Sequence, residues 1–316
     1  MTVISYGEIM GVFASNDSKL QYENSLSFSI AGAEANTLIG LSRLGIDSKL
    51  ITAVGKDSVG NTIKYQLRGE GINTQFLKVL SNNSTGLMIK ERGIGHSINV
   101  DYFRKDSAIN HLNITPFFDD IFESADTLYL TGITPALSDT TYKTTIDLIN
   151  EAKIRGLTII FDPNYRKKLW SKNSFKNFYR EIEMNIDVLL AGKKEAEILF
   201  EDISIENLKS QFNSSNLKLL VIKNGNQGAT FINQYKYKVE KAYRVTEIDS
   251  VGAGDAFASG LIYGLKKYGY ENISNYCKYA LAMGAIATTS YGDFHGLPKL
   301  NELENFITNK LNDVER

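Results

Sequence analysis

The chain has 316 residues, 43% hydrophobic and 22% charged, which is the balance of an ordinary globular protein. Its 35 Lys+Arg against 36 Asp+Glu leave a net charge of −1, so there is no global basic field for nucleic acid or an anionic membrane surface, and any bound anion must be met locally. A single cysteine, Cys277, excludes an internal disulfide, and three scattered histidines (His96, His111, His295) argue against a zinc site.

No apolar run approaches the about 20 residues of a membrane span. Residues 1–10 carry Glu8 and lack the basic-then-apolar layout of a secretory signal, so the expected location is the cytoplasm. Residues 3–10 are an apolar run that predicts a buried strand. Over 31–44, Ala35, Leu38, Ile39 and Leu41 recur at helical spacing, and Gly45 supplies the stop. A strand follows at 49–54, then a helix at 58–69 with Ser58 as the expected N-cap and Gly69 and Gly71 at its end. Further strands are predicted at 127–132, 157–162, 187–190 and 217–223, and further helices at 139–155, 193–200, 252–267, 273–288 and 300–311.

This alternation predicts an α/β fold, a mostly parallel sheet with helices on both faces. Two stretches depart from it. Residues 19–30 and 75–104 show short alternating pairs instead, such as Phe28/Ile30, Leu87/Ile89 and Ile98/Val100/Tyr102. They read as antiparallel strands outside the main sheet, inserted at about 12–30 and 75–106 of a single domain spanning 1–316. Pattern alone fits a small β-sheet lid and a pair of surface hairpins equally.

The chemistry concentrates at 248–265, I-D-S-V-G-A-G-D-A-F-A-S-G-L-I-Y-G-L. An extended piece runs into Gly252-Ala253-Gly254-Asp255, where a long helix begins. Glycines there let successive N–H groups converge, and a helix N-terminus favours negative charge, so an anion hole is expected. An aspartate in that place repels phosphate, but it makes sense as a base for a hydroxyl attacking phosphorus. Spacing alone also fits a plain glycine turn capped by Asp255. A Walker A loop is excluded because no G-K-[ST] follows, and a dinucleotide fingerprint because Phe257 stands at its third glycine.

The segment D-S-V-G-A-G-D-A-F resembles the C-terminal signature of the ribokinase-like (PfkB) sugar kinases, D-T-x-G-A-G-D-x-F. A-G-A-E-A-N at 31–36 with L-S-R-L-G at 41–45, and V-G-K-D-S-V-G at 54–60, are similar to two further elements of that family. Y-F-R-K-D-S-A at 102–108, L-T-G-I-T-P-A-L at 130–137, F-D-P-N-Y-R-K-K-L-W at 161–170 and S-Y-G-D-F-H-G-L-P at 290–298 resemble its 2-keto-3-deoxygluconate kinases.

The resemblance implies a ribokinase-like fold and an ATP- and Mg²⁺-dependent sugar kinase, with room for a monovalent cation such as K⁺. Asp255 would be the base, and the N–H groups of Gly252, Ala253 and Gly254 would stabilise the transferring phosphoryl. The sugar would meet Gly32, Asn36, Tyr102, Phe103, Arg104, Arg166 and Asp293, and the nucleotide Asn164, Lys223, Gly225 and Gly228. Glu195 would hold Mg²⁺ through water. A 2-keto-3-deoxy sugar acid carries a carboxylate that an arginine fork suits, whereas a neutral ketose such as fructose gives Arg104 and Arg166 nothing to pair with. A solvated surface role fits either arginine taken singly.

Three departures bear on the sugar: Ala31 for the family's first glycine, Met88 for a tyrosine, and Gly192 for an asparagine. The rivals are a neutral-ketose kinase and a catalytically inactive sugar-binding regulator. Intact Asp255 and its loop weigh against the latter. Neither nucleic acid nor membrane is an expected partner, and exposed lid strands suggest a homo-oligomer joined through the lid.

Overall fold

Strand residues that face opposite ways along the chain are both buried. Val3 and Ile4, and likewise Leu219 and Leu220, are fully shielded and belong to two different apolar cores. Such doubly buried strands demand a helical layer on each face of the sheet. The computed structural model describes residues 1–16, 19–92 and 98–308. Its first elements are β1 (Thr2–Tyr6), β2 (Met10–Ala14), β3 (Ser27–Ala31), α1 (Ala33–Arg43), β4 (Asp47–Gly55), α2 (Ser58–Gly69), β5 (Leu77–Leu80), β6 (Leu87–Arg92) and β7 (Ile98–Phe103). Then come α3 (Phe118–Phe122), β8 (Ala125–Thr131), α4 (Asp139–Ile154), β9 (Thr158–Asp162), α5 (Lys172–Ile182), β10 (Val188–Gly192), α6 (Lys193–Phe200), α7 (Ile205–Asn213) and β11 (Leu219–Lys223). The chain closes with β12 (Ala229–Asn233), β13 (Tyr237–Glu240), α8 (Ala253–Tyr268), α9 (Ile273–Ala287) and α10 (Leu300–Ile307).

The main sheet has the order β13-β12-β11-β10-β9-β8-β1-β4-β5, parallel except at its β11–β12–β13 end. A second sheet, β3-β2-β6-β7, stands apart from it. The predicted α/β architecture is therefore present, with a small sheet beside it. The His96 position and the end of the predicted 300–311 helix lie outside the described residues.

Four local readings differ. The run 3–10 is not one strand: β1 ends at Tyr6, and the chain crosses at Gly7 into β2 of the small sheet. Glu34 is packed so tightly there that a Cβ on Gly7 would lie 2.4 Å from its carboxyl, which leaves the crossing no side chain. Next, the small sheet is not wholly antiparallel, because β2 pairs β6 in parallel. Within 75–104, β5 joins the edge of the main sheet beside β4 instead. Finally, the N-cap of α2 is Asp57 rather than Ser58. Its Oδ1 accepts from Gly60 N at 2.7 Å, and its carboxylate also accepts from the Thr85 amide and hydroxyl, both at 2.8 Å. Burial opposes ionisation of Asp57, but these hydrogen bonds prevail and hold its carboxyl below the usual range. Asp57 thus ties α2 to the root of the small sheet, where serine could only cap.

The register of the main sheet fixes where a site can form. Thr131 sits opposite Asp162, and Gly192 opposite Lys223, so β8, β9, β10 and β11 end in these four residues at one edge. Ligands of open α/β sheets bind outside the carboxyl ends of the strands. No helix of the described residues is long and apolar enough to cross a membrane.

Candidate active site

A cavity of about 530 Å³ lies between that edge, the N-terminal turns of α1 and α8, and the small sheet. α8 begins at Gly252, whose φ of +78° is left-handed and whose missing Cβ would otherwise lie 2.0 Å from the Asp293 carbonyl oxygen. Only glycine meets both demands. The turn leaves helix N–H groups without intrahelical partners. The Ala253 N–H reaches back to Ser250 O at a long 3.3 Å.

Asp255 follows in the first turn of α8, 8% exposed, with its side chain directed at α1. Asn36 Nδ2 donates to its Oδ2 at 2.9 Å, and Thr37 Oγ1 donates to its carbonyl at 3.2 Å. Burial pushes the Asp255 carboxyl up to about 8; the Asn36 hydrogen bond and the Lys223 cation pull it down, and the Asp162 and Asp293 charges push it further up. One oxygen carries the Asn36 bond. The other has no hydrogen-bond partner among the described residues.

The strand ends supply the rest of the polar wall. Lys223 Nζ pairs with Asp162 Oδ2 at 2.5 Å. Burial disfavours the ammonium, but Asp162 and Glu195 outweigh it and hold Lys223 above its ordinary value. Glu195, at the start of α6, accepts from Gly192 N at 2.5 Å and from Tyr165 N at 2.8 Å. Burial and the neighbouring Asp162 push its carboxyl up, against the pull of Lys223. Asn164 lines the same wall with φ +40°, its N–H donating to Asp162 Oδ1 at 3.2 Å.

At the other end of the cavity stand Gly32, Ala31, Met88, Tyr102, Arg104 and Arg166. The two arginines are in unlike states. Arg104 is largely buried and pairs with Glu8 Oε2 at 3.0 Å, with its guanidinium 4.8 Å from the Tyr102 ring centre. Ser107 Oγ donates to the other Glu8 oxygen at 2.7 Å. Arg166 is exposed, and its guanidinium has no partner among the described residues.

Of the residues singled out by sequence, Gly32, Asn36, Tyr102, Arg104, Asn164, Arg166, Glu195, Lys223, Gly252, Gly254, Asp255 and Asp293 line this one cavity. Gly225, Gly228 and Ala253 line a second cavity of about 800 Å³, which shares Lys223, Ser250 and Gly254 with the first. Gly228 has φ +105°, and a Cβ on it would be 1.9 Å from Glu240 O, so the turn into β12 can lie flush against the end of β13. Phe103 is the exception. It does not line the cavity; pleat alternation after Tyr102 puts it on the outer face of the small sheet, 59% exposed.

Sequence reading missed Lys90, Asp162, Glu8 and Glu34. Lys90 had a visible signal, since it shares the pleat face of Met88, two residues before it. Glu34 is 1% exposed and accepts from Thr131 and Thr134 hydroxyls at 2.6 and 2.9 Å. Burial pushes its carboxyl up despite those bonds. No local pattern announces such a buried acid, because its partners lie about a hundred residues away.

The pfkB family carbohydrate kinase profile matches residues 2–300. The chain is 31% identical over 313 residues to the 2-dehydro-3-deoxygluconokinase of Bacillus subtilis (strain 168), covering 98% of this chain and 96% of that protein. It is 27% identical over 290 residues to a fructokinase of Vibrio alginolyticus, covering 90% and 94%. The crystal structure of 2-dehydro-3-deoxygluconokinase from Thermotoga maritima superposes with a TM-score of 0.89 at 25% identity, covering 98% of each chain.

Proposed function

The chain belongs to the pfkB family of carbohydrate kinases and is an ATP-dependent kinase; from that premise we propose that it phosphorylates a sugar acid, 2-keto-3-deoxygluconate, on its 6-hydroxyl. One observation carries the substrate class. Four cations line the site cavity, and three are already neutralised: Lys223 by Asp162, Arg104 by Glu8 and Lys90 by Asp293. Arg166 alone among these has no partner among the described residues, and it stands in the same cavity as Asp255. An unpaired guanidinium facing a substrate cavity asks for an anion, and its fork matches a carboxylate. Arg104 then acts as an aligned neighbour whose free N–H groups supplement Arg166.

The small sheet serves as a lid over the sugar, with Gly32, Asn36, Tyr102 and Asp293 around it. Asp255 removes the proton of the 6-hydroxyl through the oxygen that Asn36 leaves free. The hydroxyl oxygen bonds to the γ-phosphorus as the β–γ bridging bond breaks, giving ADP and the sugar 6-phosphate. The N–H groups of Gly252, Ala253 and Gly254 meet the charge on the transferring group; the Ala253 N–H must first leave Ser250. Lys223, Asn164, Gly225 and Gly228 seat the nucleotide in and beside the second cavity.

Among the described residues no cluster of three or more His, Cys, Asp or Glu could hold a metal by itself. That fits Mg²⁺, which keeps its waters and binds mainly through phosphates. Glu195 and Asp162 present hard oxygen donors for those waters, and the ion supplies charge neutralisation at the phosphates when bound. Asp249 already bridges the loops before α8 and after α9, accepting from Val251 N at 3.0 Å and Gly292 N at 3.4 Å, and we assign no K⁺ there.

A second copy of the chain is the proposed occupant of the small sheet's outer face, where Phe13 packs on Phe28 at 5.1 Å and Phe103 is exposed. Sedimentation of wild type and Phe103→Asp tests this, and a monomer in both would refute it. The substrate test is ADP release across sugar acids and ketoses. Turnover of 2-keto-3-deoxygluconate well above fructose is expected. The reverse order would favour the fructokinase reading, which the Vibrio alginolyticus relative keeps in play.

A further inference from the structure

Lys90 lies on β6, two residues beyond Met88, and pleat alternation turns both into the cavity. Its main chain is held on both sides, opposite Ala14 of β2 and Val100 of β7, and Ser15 N donates to its carbonyl at 2.9 Å. Its ammonium leaves the small sheet and reaches Asp293 Oδ2 at 2.6 Å, with the two side chains 14% and 9% exposed.

Asp293 belongs to the body of the molecule, in the loop between α9 and α10. Its carbonyl oxygen is the atom that a Cβ on Gly252 would strike. The carbonyls of Phe294 and Leu297 accept from the Arg43 guanidinium of α1 at 3.0 and 2.6 Å. The loop that receives Lys90 is thus braced on α1 from one side and lies against the first residue of the anion-binding turn on the other. A pair this far out of water is little screened, unlike a surface pair.

We propose that Lys90 is a positioning residue for phosphoryl transfer: its ion pair with Asp293 clamps the small sheet onto the loop that abuts Gly252, so that closing over the sugar and ordering the anion-binding turn are one event. This rests on the kinase reading above. Lys90 is not a second carboxylate partner, because its charge is already met by Asp293. A clamp between the lid and the phosphoryl end has a chemical purpose. An open lid admits water, whose oxygen would bond to the γ-phosphorus while the β–γ bridge breaks, releasing ADP and inorganic phosphate without sugar phosphate.

The test compares wild type with Lys90→Met and Lys90→Arg. In the ligand-free protein, amide exchange over β6 and β7 should quicken about threefold or more in Lys90→Met, with α4 unchanged. In turnover, kcat should fall about tenfold with KM for the sugar acid within about threefold, and ADP formed per sugar phosphate should rise above the wild-type ratio of about one. Lys90→Arg should restore all three, since it keeps the charge and the reach. Wild-type exchange and coupling in Lys90→Met would overturn the clamp. So would a raised KM with intact kcat, which would make Lys90 a direct carboxylate contact. Should Lys90→Met fail to fold, Asp293→Asn removes the same pair from the body side, and because Asp293 also faces the sugar only its amide exchange over β6 and β7 is read. If wild type phosphorylates no sugar acid or ketose, the kinase reading fails, while the exchange measurement still decides the clamp.

Discussion

The two ends of the site cavity are built from different materials. The end proposed to meet the phosphoryl group is made of backbone and of charges locked at strand and helix termini: the Gly252–Asp255 turn, Lys223 on Asp162, and Glu195 on two backbone amides. The end proposed to hold the sugar is made of side chains borne on the small sheet and on the loop after β9, with Arg166 exposed and unpaired among the described residues. A phosphoryl group is the same in every reaction of this kind, so its receptor can be rigid main chain. A sugar differs from one kinase to the next, so its receptor must be side chains that substitution can change without disturbing the sheet. Chemistry should therefore fail outright when the first end is altered, and selectivity should fail when the second is.

The largest effect belongs to the base. Asp255→Asn keeps the shape but cannot take a proton, and kcat should fall about 10²- to 10⁴-fold with nucleotide binding retained. ADP release and nucleotide titration check this, and activity within a few-fold of wild type would remove Asp255 from the chemistry. At the sugar end the damage should appear in KM. Leaving a carboxylate without its charged partner costs roughly 2–4 kcal/mol, so Arg166→Ala should raise KM for the sugar acid about 30- to 1000-fold, and Arg166→Lys should recover part of it. Fructose turnover should be nearly indifferent to both. Because Arg166 is exposed and unpaired, the melting temperature should not move. Arg104→Ala should lower it, since Glu8 would lose its cation while 5% exposed. Equal weakening of both sugars by Arg166→Ala would make that residue structural.

The same contrast explains what could be read in the sequence. The Gly252–Asp255 turn was legible as a candidate anion hole because its parts are contiguous, though spacing alone also fits a plain glycine turn and its catalytic roles came from the family resemblance. The mostly parallel sheet flanked by helices followed from strand–helix alternation, but the order of its strands did not. At the sugar end, Arg104 and Arg166 were legible as cations but not as unlike cations, because Glu8 is 96 residues from Arg104. Lys90 and Asp293 are 203 apart. Phe103 entered the site set through the resemblance of Y-F-R-K-D-S-A, and the pleat that turns Tyr102 into the cavity turns its neighbour out of it. The break at Gly7 was invisible because the packing of Glu34 against it, which leaves no room for a side chain there, is itself a long-range fact.

A smaller loss should follow from adding one methyl group to the anion turn. Gly252→Ala puts a Cβ at a left-handed φ, costing roughly 1–2 kcal/mol, and drives it at the Asp293 carbonyl. The turn must shift, and kcat should fall about 10- to 100-fold. Gly156→Ala, after α4 and far from both cavities, is the control. Its φ is +73° but a Cβ there meets nothing within 4 Å, so only the backbone cost remains. Similar losses in the two variants would mean that the turn's position does not matter to the chemistry.

The smallest expected effect is a displacement of the pH profile, and it tests whether the phosphoryl end works as one electrostatic unit. Four groups face Asp255 from four elements: Asn36 from α1, Asp162 from the end of β9, Lys223 from the end of β11, and Asp293 from the loop before α10. With burial pushing its carboxyl up to about 8, a base at Asp255 should be mostly protonated and idle below that pH. Only the ionised form accepts the sugar's proton, so kcat/KM should climb with pH through about 8 and level off above it. Asp162→Asn removes a negative neighbour, favours the ionised form and should move the limb to lower pH. Asn36→Ala removes a donor to the ionised form and should move it to higher pH. On the limb, each pH unit of movement is about tenfold in rate, so at neutral pH the two variants should differ in opposite directions by a few-fold, beyond any change in the plateau. A titrating phosphate on the nucleotide could also give a rising limb, but neither substitution would carry that limb in opposite directions. A limb that both variants leave in place would show that Asp255 does not set it.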